Sequence, residues 1–335
     1  MNPSDTPALL AEKIMISELP EGREATTYFL CTEKEVQTDK NGKAYLRLKL
    51  RDATGDLKSI HFDPAPEVVS DLQPGDVVHV GGTFSVHPTF GPQFQIKRLR
   101  IMEAGEYDEG LLVPVSPIGT AELAERLTKL VDAVTDPHLH ALLELAIDPS
   151  REPGASFSIA PAAVKNHHAY LRGLLEHSII VGEVARSVAS NFADVDLGLV
   201  VTGALLHDVG KTESYSTDMM NPGFTDAGRL HGEIVIGHDI VRRLTEEVPG
   251  FPAELAVRLR HIIISHHGEK EKGSPVIPAT REAVIVHYCD DMTARVGAIE
   301  EALHNAPSGN RWSGWVGMIG NFAYVGDGVG ADPEF

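Results

Sequence analysis

The sequence has few of the features that mark secreted and membrane proteins. It contains two cysteines, Cys31 and Cys289, which lie far apart and form no Cys-x-x-Cys pair, so neither a disulfide framework nor a thiolate zinc site is indicated. Its longest apolar runs, such as Ile262–Ile264, are far shorter than the roughly 20 residues of a membrane span. Residues 1–13 lack the basic start and apolar block of a secretory signal. These absences predict a protein of the reducing cytoplasm with no membrane partner.

Basic residues are also scarce, since 29 Lys and Arg stand against 48 Asp and Glu, for a formal net charge of −19. Such a balance argues against general nucleic-acid binding, because phosphate contacts need Lys and Arg. The charge is uneven, however: residues 1–105 have a net charge of −3 and residues 106–335 one of −16. Within the first part, the segment 40–51 contains five cations and no acid. This run indicates either a solvated strand face or a local groove for phosphates.

Residues 25–101 have the pattern of short β-strands. From Ala44 to Arg51 the sequence alternates, with Leu46, Leu48 and Leu50 on one face and basic residues on the other. Turn signals rich in Gly, Asn, Asp and Pro separate about five such strands; they lie at 41–42, 52–56, 73–76 and 88–92. Short strands of even spacing with Gly at the corners predict a small closed barrel. Their order resembles the oligonucleotide/oligosaccharide-binding (OB) fold.

The open face of an OB barrel commonly binds single-stranded nucleic acid, whose bases stack on aromatic side chains. The resemblance therefore implies a substrate-binding face on the barrel. Phe90 is the aromatic residue most expected to be exposed, because it lies in a predicted turn, whereas most other aromatic residues of the barrel are expected in the core. The candidate residues of this face are Lys43, Tyr45, Arg47, Lys49 and Phe90.

The chain changes character after the barrel. Residues 102–118 lose all periodicity, and the rest follows the 3.6-residue pattern of helices. Helices are predicted at approximately 120–134, 136–145, 170–192, 197–208, 226–247, 252–267 and 279–304. We expect a multi-domain α+β protein with a five-stranded OB-type β-barrel and a C-terminal all-α helical bundle. The expected domains are a barrel at 1–105, a linker at 106–118, a helical domain at 119–315 and an irregular tail at 316–335.

Several ionisable residues interrupt the apolar faces of the predicted helices. His207 and Asp208 end an apolar helix, His177 lies in an apolar seam, and Asp290 or Asp291 lies beside another. Burying one unpaired polar group costs about 2–7 kcal/mol, and a metal ion removes that cost. A single such residue is best explained as a packed histidine or an ion-paired acid, but four together favour a metal-ion hydrolase. Mixed imidazoles and carboxylates suit Mn²⁺, Fe or Mg²⁺ better than a structural zinc.

These residues resemble the HD superfamily of metal-dependent phosphohydrolases. The segment Phe157–His177, then Ile264-Ser-His-His-Gly268 and His287-Tyr-Cys-Asp290, is similar to the YhaM-type 3′→5′ exoribonucleases. An OB domain before the HD domain is that family's layout, so the resemblance covers most of the chain. It implies metal-dependent removal of nucleotides from the 3′ end of single-stranded RNA, with single-stranded DNA as a further substrate. Mn²⁺ is the implied cofactor, with Fe, Co²⁺ or Mg²⁺ as alternatives, and a homo-oligomer is expected.

The resemblance also implies the metal ligands. Those of a first ion are His177, His207, Asp208 and Asp290, with Asp291 as the alternative to Asp290.

A second ion is implied by His266 and His267, which match the family's His-His-Gly element. This chain has Glu233 where the family pattern leads us to expect a histidine, and His231 lies two residues earlier. Three alternatives follow. Glu233 is a ligand, His231 takes its place, or the site holds one ion.

The implied chemistry is attack of a metal-activated water on the terminal phosphodiester. Asp208 is expected to position or deprotonate that water, and Lys211 to contact a phosphate oxygen. His168, which precedes the helix of His177, is a further candidate for substrate contact.

Two other functions remain open from the sequence. An HD nucleotidase or cyclic-dinucleotide phosphodiesterase would share the ligands, although the segment 268–275 lacks the Gly-Tyr-Pro element of the cyclic-dinucleotide branch. A catalytically silent single-strand-binding protein would keep the barrel and lose turnover. This alternative stays open because Glu233 stands where the family pattern has a histidine. Metal-dependent catalysis and the length of the substrate separate these alternatives.

Overall fold

A computed structural model describes residues 12–40, 42–87, 91–163, 170–216, 218, 220, 223–304, 306 and 310–326. The chain separates into two compact units, and the main boundary falls between Val115 and Ser116.

The first unit is the closed five-stranded barrel that the sequence predicted, and this prediction is confirmed. Its strands are β1 (Glu24–Thr38), β2 (Ala44–Asp52), β3 (Gly55–Phe62), β4 (Val77–His87) and β5 (Gly91–Ile101), with the short helix α1 (Pro66–Asp71) before β4. They close in the order β1-β2-β3-β5-β4, and β3 pairs with β5 in parallel while the other neighbours are antiparallel.

The alternation of β2 decides which of its side chains enter the barrel. Leu46, Leu48 and Leu50 are at most 3% exposed and pack in the barrel core, so the intervening basic residues face outward. On β4, the register shifts between Gly81 and Gly82. A Cβ at Gly82 would clash with the carbonyl oxygen of Gln95 on the neighbouring strand, so glycine is needed where the bulge brings β4 and β5 together.

The second unit is a helical bundle, as predicted. Its helices are α2 (Thr120–Asp132), α3 (Pro137–Ile147), α4 (Gly154–Phe157), α5 (Gly173–Ala189), α6 (Leu197–Leu206), α7 (Lys211–Ser214), α8 (Asp226–His231), α9 (Glu233–Glu247), α10 (Ala253–Ser265) and α11 (Arg281–His304). Helix α6 lies at the centre, since every residue from Leu199 to Leu206 is buried. The apolar α6 contacts α5, α10 and α11. These helices and the turns that directly follow α6 and α10 carry most of the polar residues singled out from the sequence, namely His177, His207, Asp208, His266, His267 and Asp290.

The prediction of one continuous helix over 226–247 is wrong. Gly232 has a φ of 75° and separates α8 from α9. A positive φ ends a helix, and only glycine adopts it without strain. The break places Glu233 at the first turn of α9.

The prediction of an irregular tail over 316–335 is also wrong in its described part. Strands β6 (Trp312–Val316) and β7 (Asn321–Tyr324) form an antiparallel hairpin that packs on α11. A bulge between Trp312 and Trp315 breaks the alternation expected of a strand, yet Ser313, Val316 and Ala323 are buried between exposed neighbours. Residues 327–335 lie outside the described part of the chain.

None of the helices described is both long and apolar enough to cross a membrane.

Candidate metal centre

The His207-Asp208 pair stands at the C-terminal end of α6. Both side chains are almost fully buried, at 0% and 3% exposure. The Nδ1 atom of His207 lies 2.7 Å from the carbonyl oxygen of Ala204, one turn earlier. If Nδ1 carries the proton and donates it to that carbonyl, Nε2 keeps a lone pair that faces away from the helix. The helix end thus presents a fixed imidazole nitrogen and a carboxylate side by side.

Helix α10 ends in the same way. His266 follows its last residue, and its Nδ1 lies 2.7 Å from the carbonyl oxygen of Ile263. The next residue, His267, has its Nδ1 at 2.8 Å from the carbonyl oxygen of Lys272. Metal-bound histidines typically donate their second ring nitrogen to such an acceptor, which fixes the ring. The negative end of a helix dipole also favours a cation at both helix ends.

Four potential ligand atoms converge from α5, the end of α6 and α11. The Nε2 atoms of His177 and His207 are 3.2 Å apart, and Oδ1 of Asp290 lies 3.1 Å from the first and 3.5 Å from the second. Oδ2 of Asp208 lies 3.6 Å from Nε2 of His177 and 3.3 Å from that of His207. Among the described residues, His177, His207 and Asp290 form one group that could hold a metal ion.

A second group joins the first through Asp208. Its other oxygen, Oδ1, lies 3.5 Å from Nε2 of His266, and Asp208, His266 and His267 form the other candidate group in the described chain. The two oxygens of one carboxylate therefore face different sets of imidazoles. Asp208 could therefore contribute one oxygen to each of two groups of candidate ligands.

The spacing of these atoms fits coordination of a metal ion. Ligands at about 2.0–2.2 Å from a cation lie about 3.0 Å apart at a right angle and about 3.4 Å apart in a tetrahedron. The distances within the first group, 3.1 to 3.5 Å, are close to these values. Two buried atoms, Asp208 Oδ1 and His266 Nε2, make no hydrogen bond within the described structure. Such atoms are costly without a partner, and a cation between them removes the cost.

The buried carboxylates of Asp208 and Asp290 also favour a positive charge beside them. Burial lowers the pKa of His207, but Asp208 and Asp290 outweigh it and raise the pKa to about 10. Burial raises the pKa values of the two carboxyl groups, yet His207 and, for Asp208, Lys211 hold them well below their usual range. Without a metal ion the imidazole therefore takes up a proton to balance the carboxylates. A divalent cation supplies the same charge and competes with that proton.

Lys211 lies at the edge of the centre. Its Nζ is 2.6 Å from Oδ2 of Asp208, and its side chain is 15% exposed. Burial lowers its pKa, but the Asp208 carboxylate raises it more, so the ammonium group stays charged at neutral pH. The predicted phosphate-binding lysine is thus a fixed positive charge next to the ligands.

The structure separates Glu233 from His231. Oε1 of Glu233 lies 3.7 Å from Nε2 of His267, at the rim of the second group. His231 is exposed at the end of α8 and lies outside both groups of candidate ligands in the described chain. Of the two alternatives, the geometry favours Glu233.

Asp290 and Asp291 also point to different surroundings. Asp290 belongs to the first group, whereas Oδ2 of Asp291 accepts a hydrogen bond from Nε of Arg295 at 2.6 Å. The geometry therefore favours Asp290 as the ligand and makes Asp291 part of a surface ion pair.

Two glycines position the His-Asp turn against α9. A Cβ on Gly210 would overlap the carbonyl oxygen of Glu233, and a Cβ on Gly237 would lie 3.2 Å from the backbone nitrogen of Gly210. The turn after Asp208 and the first turn of α9 are therefore in backbone contact. This contact places Glu233 beside the second group.

Sequence reasoning did not assign a role to His287. Its Nδ1 lies 2.7 Å from the carbonyl oxygen of His266, and its ring fills the space that a Cβ on Gly268 would need. It lies three residues before Asp290 on α11, which puts both on the same side of the helix. This three-residue spacing is the feature of the sequence that could have pointed to His287. His287 supports the turn that carries His266 and His267.

The predicted barrel residues are mostly paired. Nζ of Lys43 lies 2.8 Å from Asp63, and Nζ of Lys49 lies 3.0 Å from Asp56. The hydroxyl of Tyr45 donates to Oε1 of Gln37, and its ring lies 5.6 Å from that of Phe62, which is 53% exposed.

Arg47 is exposed and, unlike Lys43 and Lys49, makes no ion pair in the described structure, so it is the most accessible to a phosphate of these three candidate cations. Two further candidates, Phe90 and His168, lie outside the described residues.

One cavity of the helical unit is separate from the ligand groups. It has a volume of about 550 Å³ and contains neither a candidate ligand nor an acid; it is lined by His238, Val257, Arg260, His261, Ile264, Lys270, Val276, Ile277 and Ala279. The candidate chemistry is therefore not in this cavity but at the helix ends.

Comparison with known proteins identifies the family to which this chain belongs. The HD domain family matches residues 174–295, the stretch from α5 to α11 that contains every candidate ligand. The 3′-5′ exoribonucleases YhaM of Bacillus velezensis and Bacillus licheniformis are each 30% identical over 303 residues, which cover 90% of this chain and 93% of theirs. The second OB-fold domain of replication protein A from Methanococcus maripaludis is a structural neighbour at 21% identity, with a TM-score of 0.23, covering 28% of this chain and 96% of its own.

The predicted family is confirmed by the relatives that match along almost the whole chain. An HD domain implies dependence on a divalent metal, and the candidate His and Asp groups lie within it. The chain is a metal-dependent hydrolase that belongs to the YhaM family of 3′-5′ exoribonucleases.

Proposed function

We propose that this protein removes nucleotides from the 3′ end of single-stranded RNA by hydrolysis at the metal centre. One observation carries the proposal. Four ligand atoms from three helical elements, on His177, His207, Asp208 and Asp290, lie 3.1 to 3.6 Å from their neighbours in a chain whose relatives are 3′-5′ exoribonucleases.

In this proposal each of the two groups would hold one ion. The residues that would hold the first are His177, His207, Asp208 and Asp290, and those that would hold the second are Asp208, His266, His267 and Glu233. When bound, the ions supply a water of lowered pKa and positive charge beside the reacting phosphate.

The protein's own groups complete the site. Asp208 is assigned to position or deprotonate the attacking water. The ammonium group of Lys211 stays charged beside Asp208 and is placed to contact a phosphate oxygen as negative charge develops on it. The carbonyl contacts of His207, His266 and His267 hold the three rings in place before substrate binds.

The barrel is proposed to hold the strand upstream of the cleaved end. Lys43, Tyr45, Arg47, Lys49 and Phe90 are the residues assigned to this face, and His168, which precedes the helix of His177 in the sequence, is assigned to substrate contact. Exposed Arg47 and the Tyr45–Phe62 ring pair are the features of the described face that support binding to phosphates and bases.

Four finer points belong to the same proposal. We assign Mn²⁺ as the working metal, because a mixed His and carboxylate set suits it. RNA is the primary substrate and single-stranded DNA a secondary one, a choice that contacts to the 2′-hydroxyl decide. The protein acts in the cytoplasm, where its two free cysteines, Cys31 and Cys289, stay reduced. It assembles as a homo-oligomer.

A time course on 5′-labelled single-stranded RNA tests the function. With Mn²⁺ the wild type is expected to give a ladder that shortens from the 3′ end, and EDTA abolishes it. His207→Ala and Asp208→Ala are expected to lose about 10³-fold or more in rate, because each removes several kcal/mol of transition-state stabilisation. An oligonucleotide blocked by a 3′-phosphate and a 3′-labelled one establish the direction.

Intact RNA in the presence of Mn²⁺ would contradict the proposal. Hydrolysis of nucleotides or cyclic dinucleotides under the same conditions would then support an HD nucleotidase or cyclic-dinucleotide phosphodiesterase. RNA binding without any hydrolysis would support a catalytically silent single-strand-binding protein.

A further inference from the structure

The hairpin of β6 and β7 exposes four large aromatic side chains. Trp312, Trp315, Phe322 and Tyr324 are 47% to 62% exposed, and Trp312 and Trp315 are the two tryptophans of the sequence. Buried aromatic side chains contribute strongly to folding, so four exposed ones on a short hairpin need another explanation. We call this set the aromatic hairpin face.

The strand register places all four rings on one side of the hairpin. Trp312 pairs with Tyr324 and Trp315 with Phe322, and a bulge between the two tryptophans keeps them on the same face despite their odd spacing. Phe322 and Tyr324 are two residues apart on β7, so both project to the same side. Ala323 between them is buried on the opposite side.

The rings are held in defined positions. Trp312 and Tyr324 lie 5.2 Å apart and Trp315 and Phe322 lie 5.4 Å apart, both edge to face. The guanidinium of Arg311 lies 5.7 Å from the centre of the Tyr324 ring and donates to its hydroxyl at 3.0 Å. On the buried side, the amide of Ala323 donates to Oγ of Ser313 at 2.9 Å. The hairpin is therefore an ordered platform of rings with a cation at one edge.

The two strands of the hairpin carry no acid, but their surroundings are not basic. Residues 310–326 contain Arg311 and no Asp or Glu, whereas Asp327 follows directly in the sequence and residues 106–335 have a net charge of −16. Stacking on the exposed rings, rather than charge, is therefore the interaction that this face offers to a strand.

The hairpin is also connected to the metal centre through α11. Nη1 of Arg295 donates to the carbonyl oxygen of Met318 in the hairpin turn at 3.0 Å, and its Nε donates to Asp291 at 2.6 Å. Asp291 adjoins Asp290, the candidate ligand. The turn of the hairpin is thus tied by one arginine to the helical turn that carries Asp290.

We propose that the aromatic hairpin face binds bases of single-stranded RNA by stacking, as a second contact surface for the strand that the metal centre shortens. The inference rests on the proposed function and adds a binding site to it. Base stacking on aromatic rings tolerates any sequence, as a non-specific exonuclease substrate requires.

The two tryptophans provide a direct test, because all tryptophan emission of the protein comes from this face. The full chain in EDTA, where no cleavage takes place, is titrated with a single-stranded RNA of about 12 nucleotides. We expect a saturable change in tryptophan emission that follows the binding curve measured by anisotropy of labelled RNA. Trp312→Ala/Trp315→Ala is expected to bind at least about 5-fold more weakly, the lower limit for one stacked base.

Matched variants separate stacking from folding. Trp312→Phe/Trp315→Phe keeps the rings and is expected to retain affinity within about 3-fold. Phe192→Ala removes another exposed aromatic side chain of the same domain, 58% exposed, and is expected to bind like the wild type. If the alanine pair does not fold, the wild-type emission titration still decides the question.

Three outcomes overturn the inference. RNA binding without any change in emission means that the strand does not touch the face. Equal affinity of the alanine pair and the wild type means that stacking there contributes nothing. Emission that depends on protein concentration and not on RNA means that the face is an interface between copies of the chain. The proposed function is tested separately. If the wild type still gives a Mn²⁺-dependent ladder that shortens from the 3′ end, the exonuclease proposal stands even though the binding face fails; if no ladder forms, the exonuclease proposal fails as well.

Discussion

The metal centre and the barrel face hold their charged groups under opposite conditions. At the centre, the side chains of His207 and Asp208 are at most 3% exposed, while the Lys43–Asp63 pair on the barrel is 59% and 72% exposed. Buried charges must be matched closely by a partner or an ion, since each costs several kcal/mol without one. Exposed pairs contribute about 0–1 kcal/mol and are easily exchanged for water or a ligand. The fold therefore holds the charged side chains of the centre in one arrangement, whereas the exposed charged side chains of the barrel face can change partners.

The largest effect that this comparison predicts is at Gly210. Gly210→Ala is expected to destabilise the protein by about 3 kcal/mol or more, because the new Cβ would overlap the backbone of Glu233 and neither backbone can move without displacing the ligands. The measurement is the free energy of unfolding from urea titration, together with the nuclease rate.

Gly198→Ala is the matched control for Gly210. Its Cβ would meet neighbours no closer than 3.5 Å, and alanine is the better helix former on α6, so the stability should stay equal or rise by up to about 1 kcal/mol. Equal losses for both variants would show that the His-Asp turn is not specially constrained.

A smaller effect is expected at the rim of the centre. Glu233→Gln should weaken binding of the second ion by about 10- to 100-fold, since the carboxylate near His267 loses its charge. His231→Gln, two residues away and exposed, should leave metal affinity unchanged. Isothermal titration with Mn²⁺ measures both variants. A larger loss for His231→Gln would reverse the assignment.

On the barrel the expected effects concern binding rather than stability. Arg47→Ala should reduce the slope of log K against log salt by about 0.7, the value for one phosphate contact with a single strand. Lys43→Ala should change it less, because Nζ of Lys43 is already paired with Asp63. Anisotropy of labelled RNA in EDTA at several salt concentrations gives the slopes. Identical slopes for Arg47→Ala and the wild type would remove Arg47 from the binding face.

The smallest effect is expected for an ion pair of the barrel. Burial raises the pKa of Asp56, but Arg51 and Lys49 lower it more, so the net shift is downward from 3.8. A depressed pKa means that the stabilisation is present above the unfolded pKa and is lost as the pH falls through the folded one. Asp56→Asn should therefore cost at most about 1 kcal/mol at pH 7. The difference between variant and wild type should shrink in urea titrations below pH 4, and a constant difference would exclude the ion pair as its cause.

The same contrast explains what the sequence could predict. His177, His207 and Asp208 stand out because they interrupt apolar periodicity, so their burial could be inferred before any coordinates were known. The alternation of Leu46, Leu48 and Leu50 likewise predicted the barrel strands. Both signals come from the requirement that a core exclude unpaired polar groups.

The remaining features depend on geometry that spacing does not encode. The sequence left Asp290 and Asp291 as alternatives, since adjacent residues on a helix differ only in direction, and the ion pair of Asp291 with Arg295 distinguishes them. It also left open which cations of the barrel are paired, because Lys43 meets Asp63, which lies just after β3 and far from Lys43 in the sequence. The hairpin was missed because the bulge between Trp312 and Trp315 breaks the alternation expected of a strand over Trp312–Val316.

The most direct test of the account compares Asp290→Asn with Asp291→Asn. The two changes are chemically identical and adjacent, but one alters a proposed ligand in the buried group and the other a partner in a surface ion pair. We measure bound Mn²⁺ and the rate of 3′-end shortening of single-stranded RNA for both. The account predicts a loss of about 100-fold or more in rate and weaker metal binding for Asp290→Asn, with Asp291→Asn within about 5-fold of the wild type. Equal losses, or a greater loss for Asp291→Asn, would contradict the metal centre described.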